Sequence, residues 1–150
     1  MNRKLLVVCM FALVLVGLSS TSMADPGRGA NVLCYIWANN ASSTIGAAYT
    51  PSNVYSYNAV GRANANSVTR TAVGTYTVTC KGVGGGSLFS GSGSWGPGGH
   101  VQVTAYGSED ADYCKVVNWT TGGADFSANV RCYNHTGALS DSRFDLLFVW

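Results

Sequence analysis

Apolar and polar residues alternate with a period of two along most of this chain, in short runs separated by turn residues. Thr75-Tyr76-Thr77-Val78-Thr79-Cys80 alternates strictly, with Tyr76, Val78 and Cys80 on one face and Thr on the other. His100 to Tyr106 repeats the pattern and places Val101, Val103 and Ala105 on the buried side. Val32 to Trp37, rich in β-formers, ends at Asn39-Asn40, and Tyr49 to Val60 carries Tyr55 and Tyr57 two apart. Tyr113 to Trp119, Ser127 to Tyr133 and Arg143 to Trp150 complete the set. Gly61, Val73-Gly74, Gly107-Ser108, Gly122-Gly123 and Thr136-Gly137 punctuate them. No segment has a helical period. Seven or eight short strands at these spacings predict an all-β, antiparallel fold, either a β-sandwich or a closed barrel.

The first two dozen residues read differently. Asn2-Arg3-Lys4 is a short basic stretch, Leu5 to Leu18 an apolar run, and Ser22-Met23-Ala24 offers small residues for cleavage. A run of that length falls short of the roughly 20 residues needed to cross a bilayer. Residues 1–24 are therefore expected to be a signal peptide, leaving Asp25 to Trp150 as a single secreted β-domain with no membrane attachment. Removing Arg3 and Lys4 balances seven basic against seven acidic residues. A mature chain without net charge lacks the basic face a nucleic-acid binder needs.

Four cysteines follow the expected cleavage point: Cys34, Cys80, Cys114 and Cys132. In an exported chain they predict two disulfides, with three connectivities open. No C-x2-C or H-x3-H spacing suggests a metal, and no cofactor motif is present. Cys114 and Cys132 fall on consecutive β-rich runs joined through Gly122-Gly123, so a hairpin would set them side by side; Cys34 and Cys80 pair by elimination. The rival, Cys34 with Cys132, comes from an internal echo. Ala30-Asn31-Val32-Leu33-Cys34-Tyr35 recurs as Ala128-Asn129-Val130-Arg131-Cys132-Tyr133. Two copies of one strand would each seek the same neighbour rather than each other. A chain that begins and ends with equivalent strands could also close its sheet.

Catalytic chemistry is thinly encoded. His100 and His135 stand alone, Gly91-Ser92-Gly93-Ser94-Trp95 misses the nucleophile-elbow pattern, and Glu109, Asp110 and Asp112 crowd one acidic turn that matches no EF-hand. No catalytic residue, cofactor or metal site is assigned. The Gly-rich segment Gly82 to Gly99 contains Leu88, Phe89 and Trp95, which a plain linker would not carry. Either these side chains fold back on the domain or they touch a ligand.

From Gly74-Thr75-Tyr76-Thr77-Val78, through Gly98-Gly99-His100-Val101-Gln102-Val103-Thr104-Ala105-Tyr106-Gly107, Cys114-Lys115-Val116 and Trp119, to Val130-Arg131-Cys132-Tyr133, Asp141-Ser142-Arg143-Phe144 and Leu147-Phe148-Val149, the chain resembles a block found in secreted bacterial β-proteins. Tyr35-Ile36-Trp37 and Tyr49-Thr50-Pro51 resemble the start of the same unit. The resemblance implies an exported β-unit, often repeated in tandem, and carries no catalytic residues over. An apolar residue, often Phe, stands in that block where this chain has Cys80, so the Cys34–Cys80 pair is a departure from it.

The expectation is a small non-enzymatic module that binds, lies at the cell surface or builds extracellular structure. The alternative is a carbohydrate-binding domain in which Trp95, Phe89, Tyr55 or Tyr57 stacks on sugar rings of a polysaccharide or other surface component. The third class is an exported hydrolase working through His100 or the acidic turn.

Overall fold

The computed structural model describes residues 32–60, 66–84, 98–107, 111–121 and 123–149. The expected signal peptide (residues 1–24), Phe89, Trp95, Glu109 and Asp110 lie outside the described residues. Nine strands are present among those described: β1 (Val32–Ala38), β2 (Ala48–Tyr49), β3 (Tyr57–Asn58), β4 (Ser67–Ala72), β5 (Thr75–Cys80), β6 (His100–Tyr106), β7 (Tyr113–Thr120), β8 (Phe126–Tyr133) and β9 (Arg143–Val149).

They form two antiparallel sheets, a four-stranded one ordered β3-β1-β9-β6 and a five-stranded one ordered β2-β4-β5-β8-β7. The two sheets pack face to face as a sandwich, not a closed barrel. The first and last described strands do pair, β1 against β9 from Val32–Val149 to Ala38–Phe144. That pairing does not close a barrel, because β3 and β6 remain the edges of its sheet.

Alternation explains the core. Cys34, Ile36 and Ala38 of β1, and Phe144, Leu146 and Phe148 of β9, point inward from one sheet. Val68, Tyr76, Val78, Val130 and Phe126 meet them from the other. Phe126 stacks on Phe148 with ring centroids 4.2 Å apart, and Tyr76 meets Phe144 edge-on at 5.2 Å. Both disulfides form as expected. Cys34–Cys80 crosses from β1 to β5 and ties the two sheets together; Cys114–Cys132 joins residues directly opposite in the β7–β8 hairpin.

Two departures from the sequence pattern have simple causes. Ser67–Ala72 is a strand that alternation hides, because Arg70 stands among its inward positions beside Val68. The inferred run from Tyr49 to Val60 shrinks to two short pairings, β2 with β4 and β3 with β1, with bends after Pro51 between them.

Candidate ligand-binding face

The residues that point away from the core on the four-stranded sheet are mostly large. In β1 the outward positions are Tyr35 and Trp37, in β3 Tyr57, in β9 Arg143, Asp145 and Leu147, and in β6 Gln102, Thr104 and Tyr106. Register lines them up. Tyr57, Tyr35, Leu147 and Gln102 share one row across the strands, Trp37, Asp145 and Thr104 the next, and Arg143 lies opposite Tyr106.

Tyr55 joins this face from the loop before β3. Its ring meets Trp37 edge-on at 4.8 Å, and the Trp37 backbone N–H donates to Ser56 Oγ at 3.1 Å, fastening that loop to β1. Trp37 lies nearly parallel to Tyr106, with centroids 6.2 Å apart, and the Arg143 guanidinium sits 5.6 Å over the same Tyr106 ring. Tyr57 is held by a buried amide cluster beneath β3. Asn58 Nδ2 donates to Asn66 Oδ1 at 2.9 Å and to the Lys81 carbonyl at 3.0 Å, while Asn66 Nδ2 donates to the Tyr57 carbonyl at 3.2 Å. Buried amides with their bonds made fix a backbone firmly, and here they aim Tyr57 outward.

A carboxylate lies among the rings. The Tyr35 hydroxyl donates to Asp145, and partial burial pushes the Asp145 carboxyl above the ordinary range, with the Tyr35 bond pulling the other way. Burial, followed by the Asp145 charge, pushes the Tyr106 hydroxyl up to about 12. Asp145 Oδ1 and the Tyr106 hydroxyl are both buried without a hydrogen-bond partner among the described residues.

Because the folded-state pKa of Asp145 lies above the unfolded one, protonation favours the folded chain. The cost of ionised Asp145 is absent in acid and appears as pH rises through its folded pKa. Asp145→Asn is therefore expected to melt at or above the wild-type temperature at pH 7, the gap closing on acidification. Thermal melts across a pH series check this. A variant that melts well below wild type at pH 7 would show that the charge stabilises instead.

A second carboxylate is structural. Asp141 accepts from Arg70 through both oxygens and from the Gly74 N–H at 2.8 Å, and the Tyr76 hydroxyl lies 3.2 Å away. Partial burial pushes Asp141 up, but these donors outweigh it and hold the carboxyl below the ordinary range. Arg70 also donates to the Ser43 carbonyl at 3.2 Å, and Tyr76 to the Ala41 carbonyl at 3.0 Å. The inward Arg70 that masked β4 in the sequence is the centre of this network.

The outer face of the five-stranded sheet is mixed. Ser67, Thr69, Thr77, Thr79, Ser127 and Asn129 line up along β4, β5 and β8 as short polar side chains, with Asn118, Asn129 and Thr77 hydrogen-bonded in a chain at 2.7 and 2.9 Å, whereas Tyr113 and Tyr133 stack with centroids 5.2 Å apart across β7 and β8, the Lys115 ammonium 5.5 Å from the Tyr133 ring.

Of the sequence candidates, Tyr55 and Tyr57 fall together on the aromatic face, 59% and 50% exposed. Phe89 and Trp95 lie outside the described residues. His100 is exposed at the start of β6 and His135 in the turn after β8, in separate places. Among the described residues no group of three His, Cys, Asp or Glu is placed to hold a metal ion. Sequence reasoning missed Tyr35, Trp37, Tyr106 and Asp145. The signal was present, since Tyr35 and Trp37 alternate with Cys34 and Ile36, and whichever pair is buried, the other faces out. No protein-family model, curated protein or solved structure matches the chain.

Proposed function

We propose that this protein is a secreted, non-enzymatic binding module that holds a carbohydrate polymer on the aromatic face of its four-stranded sheet. The observation that carries the reading is the grouping of Trp37, Tyr55, Tyr57 and Tyr106, from three strands and one loop, around outward polar side chains. Flat apolar ring faces beside hydrogen-bonding groups suit sugars, which present C–H patches edged by hydroxyls. Most core aromatics of this chain are Phe, whereas this face carries Tyr and Trp, the rings that tolerate a wet edge. Export is supported by the two disulfides, which persist in oxidising compartments, and by the apolar run Leu5 to Leu18.

The test is retention of the chain from Asp25 onward on insoluble cellulose, chitin, xylan and β-1,3-glucan. Wild type is expected to be retained on at least one. A Tyr side chain buries on the order of 150 Å² when fully covered. Covering the exposed half of one, at about 25 cal/mol per Å², gives roughly 2 kcal/mol, or more than tenfold in affinity. Tyr55→Ala and Tyr57→Ala should each lose about that much with little change in melting temperature. Absence of retention on every polymer would remove the proposal.

A further inference from the structure

The outer face of the five-stranded sheet carries charge of one sign. Lys115 of β7 and Arg131 of β8 point outward directly opposite each other, and Thr75 of β5 completes their row. Both cations are exposed. Neither makes an ion pair or a hydrogen bond among the described residues. The Lys115 ammonium rests 5.5 Å from the Tyr133 ring, an attractive contact that supplies no lone pair to its N–H donors.

The acids among the described residues stand elsewhere. Asp141 is engaged by Arg70, Asp145 lies on the aromatic face, Asp125 accepts the Gly82 N–H at 2.8 Å, and Asp112 borders Tyr106 and Arg143 of the other sheet. The aromatic face thus mixes Arg143 with Asp145, whereas this one has two cations and no carboxylate among the described residues. Like charges directly opposite on a sheet destabilise it. An anion shared between Lys115 and Arg131 reverses that cost. A carboxylate suits the pair, because the guanidinium offers it a two-pronged donor and the ammonium a point charge.

The neighbouring rows narrow the class. One two-residue step along the strands, about 7 Å away, Tyr113 stacks on Tyr133, and Tyr113 is half exposed. On the other side come Asn118, Asn129 and Thr77, hydrogen-bonded to one another, then Thr120, Ser127 and Thr79. The four rows span about 20 Å. A sugar ring laid on Tyr113 sets its C–H patch on an aromatic face and brings a carboxylate of that ring within reach of the cations. Further residues of the same polymer meet hydroxyls and amides. A protein partner seeks an apolar centre, which rows of Thr, Ser and Asn do not provide.

We infer that this face is a second binding surface, for an acidic polysaccharide whose sugar rings carry carboxylates. It lies on the opposite side of the sandwich from the aromatic face and is independent of it, so one molecule holds a polymer on each side.

The test is biolayer interferometry on the immobilised chain from Asp25 onward, at low ionic strength, with polygalacturonate and alginate. Polyglutamate and phosphatidylglycerol vesicles are run in parallel. At least one polyuronate is expected to bind, at least tenfold more tightly than polyglutamate, which has the charge without the rings. It should be released at about 1 M salt, where the Debye length is about 3 Å. Lys115→Gln and Arg131→Gln should each weaken binding about tenfold, the weight of one hydrogen bond to a charged group at roughly 1.5 kcal/mol. Tyr113→Ala should weaken it by a similar factor. Arg131→Gln should melt no lower than wild type, because it relieves a like-charge pairing, so lost binding is not lost fold. Silence toward both polyuronates, or polyglutamate or vesicles bound as tightly, overturns the proposal. So does unchanged affinity in both cation variants or in Tyr113→Ala, or an Arg131→Gln protein that melts well below wild type. Retention on the neutral polymers without polyuronate binding removes this surface and keeps the aromatic face; the converse does the reverse.

Discussion

Replacing Cys34 and Cys80 together by alanine is expected to cost about 4 kcal/mol of folding stability, and replacing Cys114 and Cys132 about 3 kcal/mol. The two bridges span 46 and 18 residues. In the chain-entropy model the longer loop restrains the unfolded chain more, which gives those two figures. Position widens the gap. Cys34 and Cys80 are fully buried at the junction of the two sheets, whereas Cys114 lies beside an edge and is partly exposed. The β7–β8 hairpin is also held by its own backbone ladder, from Tyr113–Tyr133 to Thr120–Ser127, so it keeps its register without the bridge. Urea midpoints of the two double variants under non-oxidising conditions measure the difference. A larger loss from the hairpin pair would mean that the sheets are held chiefly by their packed faces.

Legibility in the sequence followed the regularity of alternation. Thr75–Cys80 and His100–Tyr106 are strands whose inward residues could be named in advance, and Tyr76, Val78, Cys80 and Val101 are indeed buried. The hairpin disulfide was readable because a short turn between two β-runs forces antiparallel neighbours. β4 was not readable, since its inward Arg70 is neutralised by Asp141, a residue 71 positions away that no local pattern reveals. The choice between sandwich and barrel depended on edges, and two-residue strands such as β2 and β3 are set by long-range pairing rather than by propensity.

The candidate site was half legible for a related reason. Tyr55 and Tyr57 could be suspected of exposure because they sit among Ser and Asn after Pro51. Trp37 and Tyr106 lie within strands whose opposite faces are apolar, where a large aromatic reads as core by default. Only the sheet order β3-β1-β9-β6 brings Tyr55, Trp37 and Tyr106 together, because β9 inserts between the strands that carry Trp37 and Tyr106. Asp145 escapes notice in sequence because its neighbours Phe144 and Leu146 belong to the core and its partner Tyr35 is far along the chain.

Gly74→Ala is expected to cost about 3 kcal/mol, far more than the same change at Gly46 or Gly137. All three glycines have positive φ, 61° at Gly74 and 81° at the other two, so each alanine meets a backbone penalty of about 1 kcal/mol. Space separates them. A Cβ on Gly46 or Gly137 would meet nothing within 4 Å, whereas one on Gly74 would lie 2.6 Å from the Cys132 carbonyl oxygen and 2.7 Å from the Ser140 nitrogen. Those neighbours are backbone and cannot rotate aside. Gly74 also donates its N–H to Asp141 and accepts the Cys132 N–H at 2.8 Å, two bonds of about 1 kcal/mol each that a forced shift would weaken. Asp141 anchors Arg70 and Tyr76, which in turn hold the Ser43 and Ala41 carbonyls, so loosening Gly74 loosens the loop after β1 as well. Thermal melts of the three variants isolate the close approach from the dihedral. A Gly74→Ala protein that melts with Gly137→Ala would show that the backbone there yields, and that the Asp141 network does not depend on the tight contact between hairpin and β8.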